Sequence, residues 1–150
     1  MLEVWDKLNY NENLGPRTPW DFSAYIPQVV IIALGQNDSN PVDFMQQDPA
    51  GTLAQAWKRD YKHFISLLRE KYPRAHIILT TTVLCHCLNW DDALDDIVQD
   101  LSRTDERVHH FRFRRTGIAT PGHPRIAEHN EMARELTAYL ASFGDSLWEA

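Results

Sequence analysis

Two short polar clusters hold the side chains best suited to chemistry. Gly35-Gln36-Asn37-Asp38 follows an unbroken apolar run at residues 29–34, and Thr120-Pro121-Gly122-His123-Pro124 precedes the last amphipathic segment. An asparagine amide aimed at a carbonyl oxygen can stabilise the oxyanion of a tetrahedral intermediate, and removing such a donor costs about 3–4 kcal/mol. A histidine held at a helix start can take a proton as general base. Each residue also has an ordinary explanation. Asn and Asp favour turns through local backbone hydrogen bonds, and a histidine between Gly122 and Pro124 can simply mark the entry to a helix. Asn37-Asp38-Ser39 matches a glycosylation acceptor, a role poorly suited to the mouth of a sheet.

The elements that position these clusters can be read from periodicity. The run VVIIAL at residues 29–34 is continuous rather than alternating, which predicts a strand covered on both faces. Residues 51–72 put Leu53, Ala54, Trp57, Tyr61, Phe64, Ile65 and Leu68 at helical spacing, so a long amphipathic helix should lie on a sheet. Pro73 ends it, and the β-branched stretch 76–84 predicts a second strand. A short acidic helix around 91–101, a third strand near 108–113 and a helix over 124–143 with Pro in its first turn complete the pattern. The order β-α-β-α-β-α implies a parallel α/β sheet with right-handed crossovers. Both polar clusters then fall beyond the carboxyl ends of strands, the edge at which parallel sheets bind ligands. Three strands make a thin sheet, and further strands are expected upstream of Met1. Residues 1–27 are turn-rich, and their aromatics Trp5, Tyr10 and Trp20 need a surface to pack against.

Composition excludes several classes. The 150 residues, 43% hydrophobic and 24% charged, suit one globular domain. A formal net charge of −6 argues against nucleic acid as a partner, which would need clustered Lys and Arg. No apolar stretch approaches the roughly 20 residues of a membrane helix, and the first residues lack the basic start and apolar centre of a signal peptide. Cys85 and Cys87, separated by His86, are too close for an ordinary disulfide. They read as packing residues, and as zinc ligands they lack a second ligand cluster. Trp57 and Trp20 are assigned to the core. Trp90 could stack on a sugar ring, although an aromatic near a helix start more often packs. Asp91, Asp92, Asp95 and Asp96 read as a solvated helix face. His63, His76, His86, His109, His110 and His129 form no constellation.

Taken together, GQND after a buried strand and GHP entering the last helix resemble the third and fifth sequence blocks of the SGNH (GDSL-like) hydrolases. These are esterases of flavodoxin-like α/β/α fold. Residues 20–38 and 122–133 are most similar to carbohydrate esterase family two, whose members remove acetyl groups from xylan and glucomannan. The resemblance implies that Asn37 is the oxyanion-hole asparagine, Gly35 its accompanying glycine and His123 the catalytic base, with no metal or organic cofactor. It implies a serine nucleophile in a Gly-Asp-Ser block near the domain start. Ser23, Ser39, Ser66, Ser102, Ser142 and Ser146 all lack that context, and Gly15 is a weak candidate for the second oxyanion glycine. Residues 1–150 are accordingly expected to be the C-terminal, N-terminally truncated portion of one such domain, inactive alone. Where many members place Asp three residues before the histidine, this chain has Thr120; Thr120 or a backbone carbonyl must then orient the ring. The implied partner is acetylated polysaccharide or oligosaccharide, and the implied location of the parent protein is secreted or at the cell surface. A generic SGNH esterase acting on lipid or small esters stays open. So does a non-catalytic truncated fold that binds carbohydrate or self-associates through an exposed sheet edge.

Overall fold

The computed structural model describes residues 2–9, 11, 13, 17–81 and 83–148. Gly15 and Tyr10 lie outside the described residues. Three parallel strands, β1 (Val29–Ala33), β2 (His76–Thr80) and β3 (Val108–His110), form a sheet in the order β1-β2-β3. Val29 pairs with His76 and Ile77 with Val108. Four helices accompany them: α1 (Phe44–Gln47), α2 (Thr52–Lys71), α3 (Leu88–Leu101) and α4 (Ile126–Ala141).

The apolar stripe read in residues 51–72 is the face that α2 buries. Its Tyr61, Phe64, Ile65 and Leu68 meet Leu94 and Ile97 of α3 over Ile32, Ile77, Leu79 and Val108 of the sheet. Burying such side chains contributes about 1.5–3 kcal/mol each. The opposite face is covered at β2 and β3 by the end of α4, where Phe143 packs edge-on against His76 and His109, and Tyr139 packs against Phe111. The result is the expected α/β/α arrangement. No helix among the described residues is long and apolar enough to cross a membrane.

Several expectations are corrected. The strand covered on both faces is β2, buried at every position, rather than β1, whose Ile31 is 44% exposed. Among the described residues β1 pairs with β2 only, so its second edge and part of one face stay open. Strands β2 and β3 end earlier than predicted, at Thr80 and His110. The last helix begins after Pro124, with Arg125 as its cap residue, because Pro124 is wedged against Gly117. A Cβ on Gly117 would lie 2.2 Å from the Pro124 nitrogen. Trp5 does find its surface, against Phe22 and Phe64, whereas Trp20, assigned to the core, stays 38% exposed. Trp57 is half-buried, at the seam of the two apolar clusters.

Candidate active site

The turn after β1 holds the first cluster. Gly35 has φ +118, and a Cβ there would meet the Trp90 ring at 3.3 Å and the Trp57 ring at 3.4 Å, so both backbone conformation and space require glycine. Beyond it the backbone closes on itself: Asp38 N–H donates to the Gly35 carbonyl at 3.1 Å, and Asn40 N–H donates to the Asn37 carbonyl at 3.2 Å. The Ser39 hydroxyl donates to the Gln36 carbonyl at 3.0 Å. The turn is therefore built from backbone and Ser39, and the exposed Asn37 amide makes no hydrogen bond among the described residues.

The second cluster lies at the same edge of the sheet. Cys85, past the end of β2, donates its N–H to the Gly122 carbonyl at 2.9 Å. Gly35 and Gln36 face Cys85 and His86 across a pocket of about 20 Å³, room for roughly one water molecule. Contacts thus run from the Asn37 turn through Thr81, Cys85 and His86 to the His123 loop, although no hydrogen bond joins Asn37 to His123 among the described residues.

The His123 ring is oriented by backbone. Its Nδ1 lies 2.8 Å from the Pro121 carbonyl oxygen. A carbonyl can only accept, so Nδ1 carries a proton, and in the neutral ring the lone pair is then on Nε2, the tautomer a general base requires. Thr120 does not take this role: its hydroxyl accepts from Arg125 Nε at 2.6 Å. Thr120 and His123 exchange backbone bonds of 3.0 and 2.6 Å, and Gly122 supplies the left-handed residue (φ +70) between them.

Beneath these loops is a polar network that sequence reasoning missed. The Thr81 hydroxyl donates to Asp91 at 2.6 Å, and His86 bridges the other Asp91 oxygen at 3.2 Å to the Leu84 carbonyl at 2.7 Å. Asp91, 4% exposed, is not part of the solvated face; only its successors Asp92, Asp95 and Asp96 are. Burial is the largest influence on the His86 ring and opposes its charge, but hydrogen bonds to Asp91 and Leu84 together with the Asp91 charge outweigh it and hold His86 above the usual histidine range. Burial likewise opposes the Asp91 charge, yet hydrogen bonds from His86 and Thr81 keep its carboxyl below the usual range. With both His86 nitrogens occupied, the Cys-His-Cys run offers no imidazole to a metal. Cys87 is half-buried, while Cys85 is exposed rather than packed inside. No group of three or more His, Cys, Asp or Glu is placed to hold a metal ion among the described residues.

Trp90 takes the packing role expected of an aromatic near a helix start, not the sugar-stacking one. It is 3% exposed, edge-on to Phe44 and Trp57, and its indole N–H donates to Asp43 at 3.1 Å. No ring face is left for a sugar. Ser146 sits in a literal Gly-Asp-Ser-Leu at Gly144–Leu147, but this is a 3-10 turn whose serine hydroxyl donates to the Phe143 carbonyl at 2.6 Å. Phe143, at the start of this turn, packs against His76 at the amino end of β2, the edge opposite His123, so Ser146 cannot be that base's nucleophile. On the outer side of residues 35–38, Leu2, Glu3, Trp57, Asp60 and Tyr61 bound a cleft of about 650 Å³. The Tyr61 hydroxyl is buried there without a hydrogen-bond partner among the described residues, and burial pushes its pKa up.

No protein-family model matches the chain. It is 36% identical over 133 residues to the cellulase/esterase CelE of Acetivibrio thermocellus, a match covering 81% of this chain and 15% of that protein. It is 30% identical over 138 residues to the acetylxylan esterase / glucomannan deacetylase of Cellvibrio japonicus, covering 87% of this chain and 35% of the relative. Among solved structures it superposes on a family two carbohydrate esterase from Clostridium thermocellum in complex with cellohexaose, with TM-score 0.71 and 31% identity over 91% of this chain and 42% of that one. The fold is that of the SGNH-type α/β/α hydrolases. Within that class the homologues of this chain are members of carbohydrate esterase family two, and the chain spans well under half the length of each of these relatives.

Proposed function

We propose that this chain is the C-terminal part of a serine esterase that removes acetyl groups from carbohydrate such as xylan or glucomannan. The observation that carries the reading is the His123 ring, whose Nδ1 is tied 2.8 Å from the Pro121 carbonyl, leaving Nε2 as the basic atom. A serine hydroxyl from a preceding segment would pass its proton to Nε2 while its oxygen attacks the acetyl carbonyl carbon. The Asn37 amide would donate to the resulting oxyanion. Collapse breaks the bond to the sugar oxygen, which takes the proton from His123, and a water molecule repeats the sequence to release acetate. Pro121 plays the part that a carboxylate plays in other triads, since the need is an acceptor for Nδ1–H. The relatives' names support a carbohydrate substrate, and a polysaccharide substrate fits a parent protein that is exported.

The test is to translate the reading frame upstream of the Met1 codon and express the whole product. A strand running into Gly-Asp-Ser, with acetyl release that falls at least about a thousandfold in His123→Ala, supports the reading. A stop codon directly before Met1, or turnover indifferent to His123, overturns it. A second reading, a non-catalytic fold that binds carbohydrate or self-associates, draws on the open edge of β1 and on the cleft beside Tyr61. Its 650 Å³ lies within the range of about 300–1,000 Å³ usual for ligand pockets.

A further inference from the structure

His123 is exposed, and the one bond that orients its ring goes to a carbonyl only two residues away. Ring direction therefore depends on the shape of the loop, and the loop is held from α4. Glu128, 5% exposed, accepts from Ile118 N–H at 3.1 Å and Arg115 Nη1 at 2.9 Å through Oε1. Through Oε2 it accepts from Ala119 N–H at 3.2 Å and Arg125 N–H at 2.9 Å. A carboxylate offers about four lone-pair sites, and all are used. Of the three backbone donors, two precede His123 and one follows it, so a single side chain ties both ends of residues 118–125. The Arg125 bond is also the reach-back by which a glutamate at the third helical position closes a helix start.

We propose that Glu128 is a positioning residue for His123: by strapping the Ile118, Ala119 and Arg125 amides it fixes the loop in which Nδ1–H meets the Pro121 carbonyl. This rests on the reading of His123 as general base. The bond from Arg125, followed by those from Ile118 and Ala119, also keeps the Glu128 carboxyl below its usual range, so it stays a pure acceptor at neutral pH. Glutamine has the same shape but presents N–H to donors on one side, so it cannot replace the strap.

The experiment is nitrogen-15 NMR of the histidine rings in this chain, with the His123 signal assigned by its loss in His123→Gln. Neutral His123 in the parent chain should be protonated mainly at Nδ1. In Glu128→Ala and Glu128→Gln the Nδ1–H to Nε2–H ratio should fall roughly fivefold, the ratio set by one ordinary hydrogen bond. Glu131→Gln, which loses only the Arg115 pair, should leave it unchanged. A lower melting temperature with an unchanged His123 ratio would make Glu128 a mere helix cap and overturn the proposal, as would unfolding of both Glu128 variants. The esterase reading fails separately: Glu128 could control the ratio while His123→Ala leaves ester hydrolysis by the whole product untouched.

Discussion

A general base needs one ring nitrogen protonated and held, and the other bare. At His123 a carbonyl 2.8 Å from Nδ1 stands where a carboxylate otherwise would, so on the proposed reading Thr120→Asp should not raise acetyl-ester turnover in the whole product and Thr120→Val should cost only the Arg125 contact. Asn37 presents its amide with no local bond to break, and Asn37→Ala should lower acetyl-ester kcat in the whole product about 10²–10³-fold with KM little changed. A steady-state assay on an acetylated oligosaccharide checks both variants. The His86–Asp91 pair gives a pH signature instead. His86 has a raised folded pKa, so its share of the stabilisation is complete below about pH 6.5 and is lost as pH rises through that raised value. Asp91 has a depressed one, so its share is complete above about pH 4 and is lost as pH falls through it. Asp91→Asn should cost about 1.5–3 kcal/mol near pH 5.5 and less at pH 9, read from urea midpoints at the two pH values. The places of Asn37 beyond β1 and of His123 before α4 were legible because strand ends and helix entries are marked in sequence. Asp91 was not, because an aspartate in an acidic run looks solvated until Thr81 and His86 are seen beside it. Glu128 left one usable signal, a Glu three residues after the helix cap.

Among the elements, long periodic segments were read nearly to the residue: 51–72 against Thr52–Lys71. Boundaries set by tertiary contact were not. The start of α4 is decided by the fit of Pro124 on Gly117, which no local pattern announces, and β3 stops at His110 because its pairing with β2 stops there. The same fit makes Gly117 a hinge between stability and site geometry. Gly117 N–H donates to the Val83 carbonyl at 2.7 Å, fixing it beside the β2 extension, while its missing side chain admits the backbone of Pro124. Gly117→Ala should therefore destabilise the chain by about 1–3 kcal/mol through overpacking and shift the His123 ring resonances. A denaturant midpoint unchanged from the parent would show that the loop gives way freely, and that Pro124 does not set the path of His123.

At the scale of the molecule, the sheet has a buried central strand and, among the described residues, an edge strand on each side. The β2 strand is covered above and below, but among the described residues β1 has no strand on its outer edge, beside Ile31, 44% exposed, with Tyr25 and Ile26 each 65% exposed at its approach. Among neighbours of the SGNH fold this chain accounts for less than half of each, so an edge that looks anomalous in isolation is what a partial sheet must present. An open, apolar strand edge pairs with whatever strand it meets. The chain purified alone should thus associate as its concentration rises, and Ile31→Lys, which places a charge on the edge strand without touching the α2 side of the core, should shift it toward monomer. Light scattering across a dilution series reads this directly. If the parent chain stays monomeric at high concentration and melts cooperatively, the edge is self-sufficient, and self-association loses its support as a function.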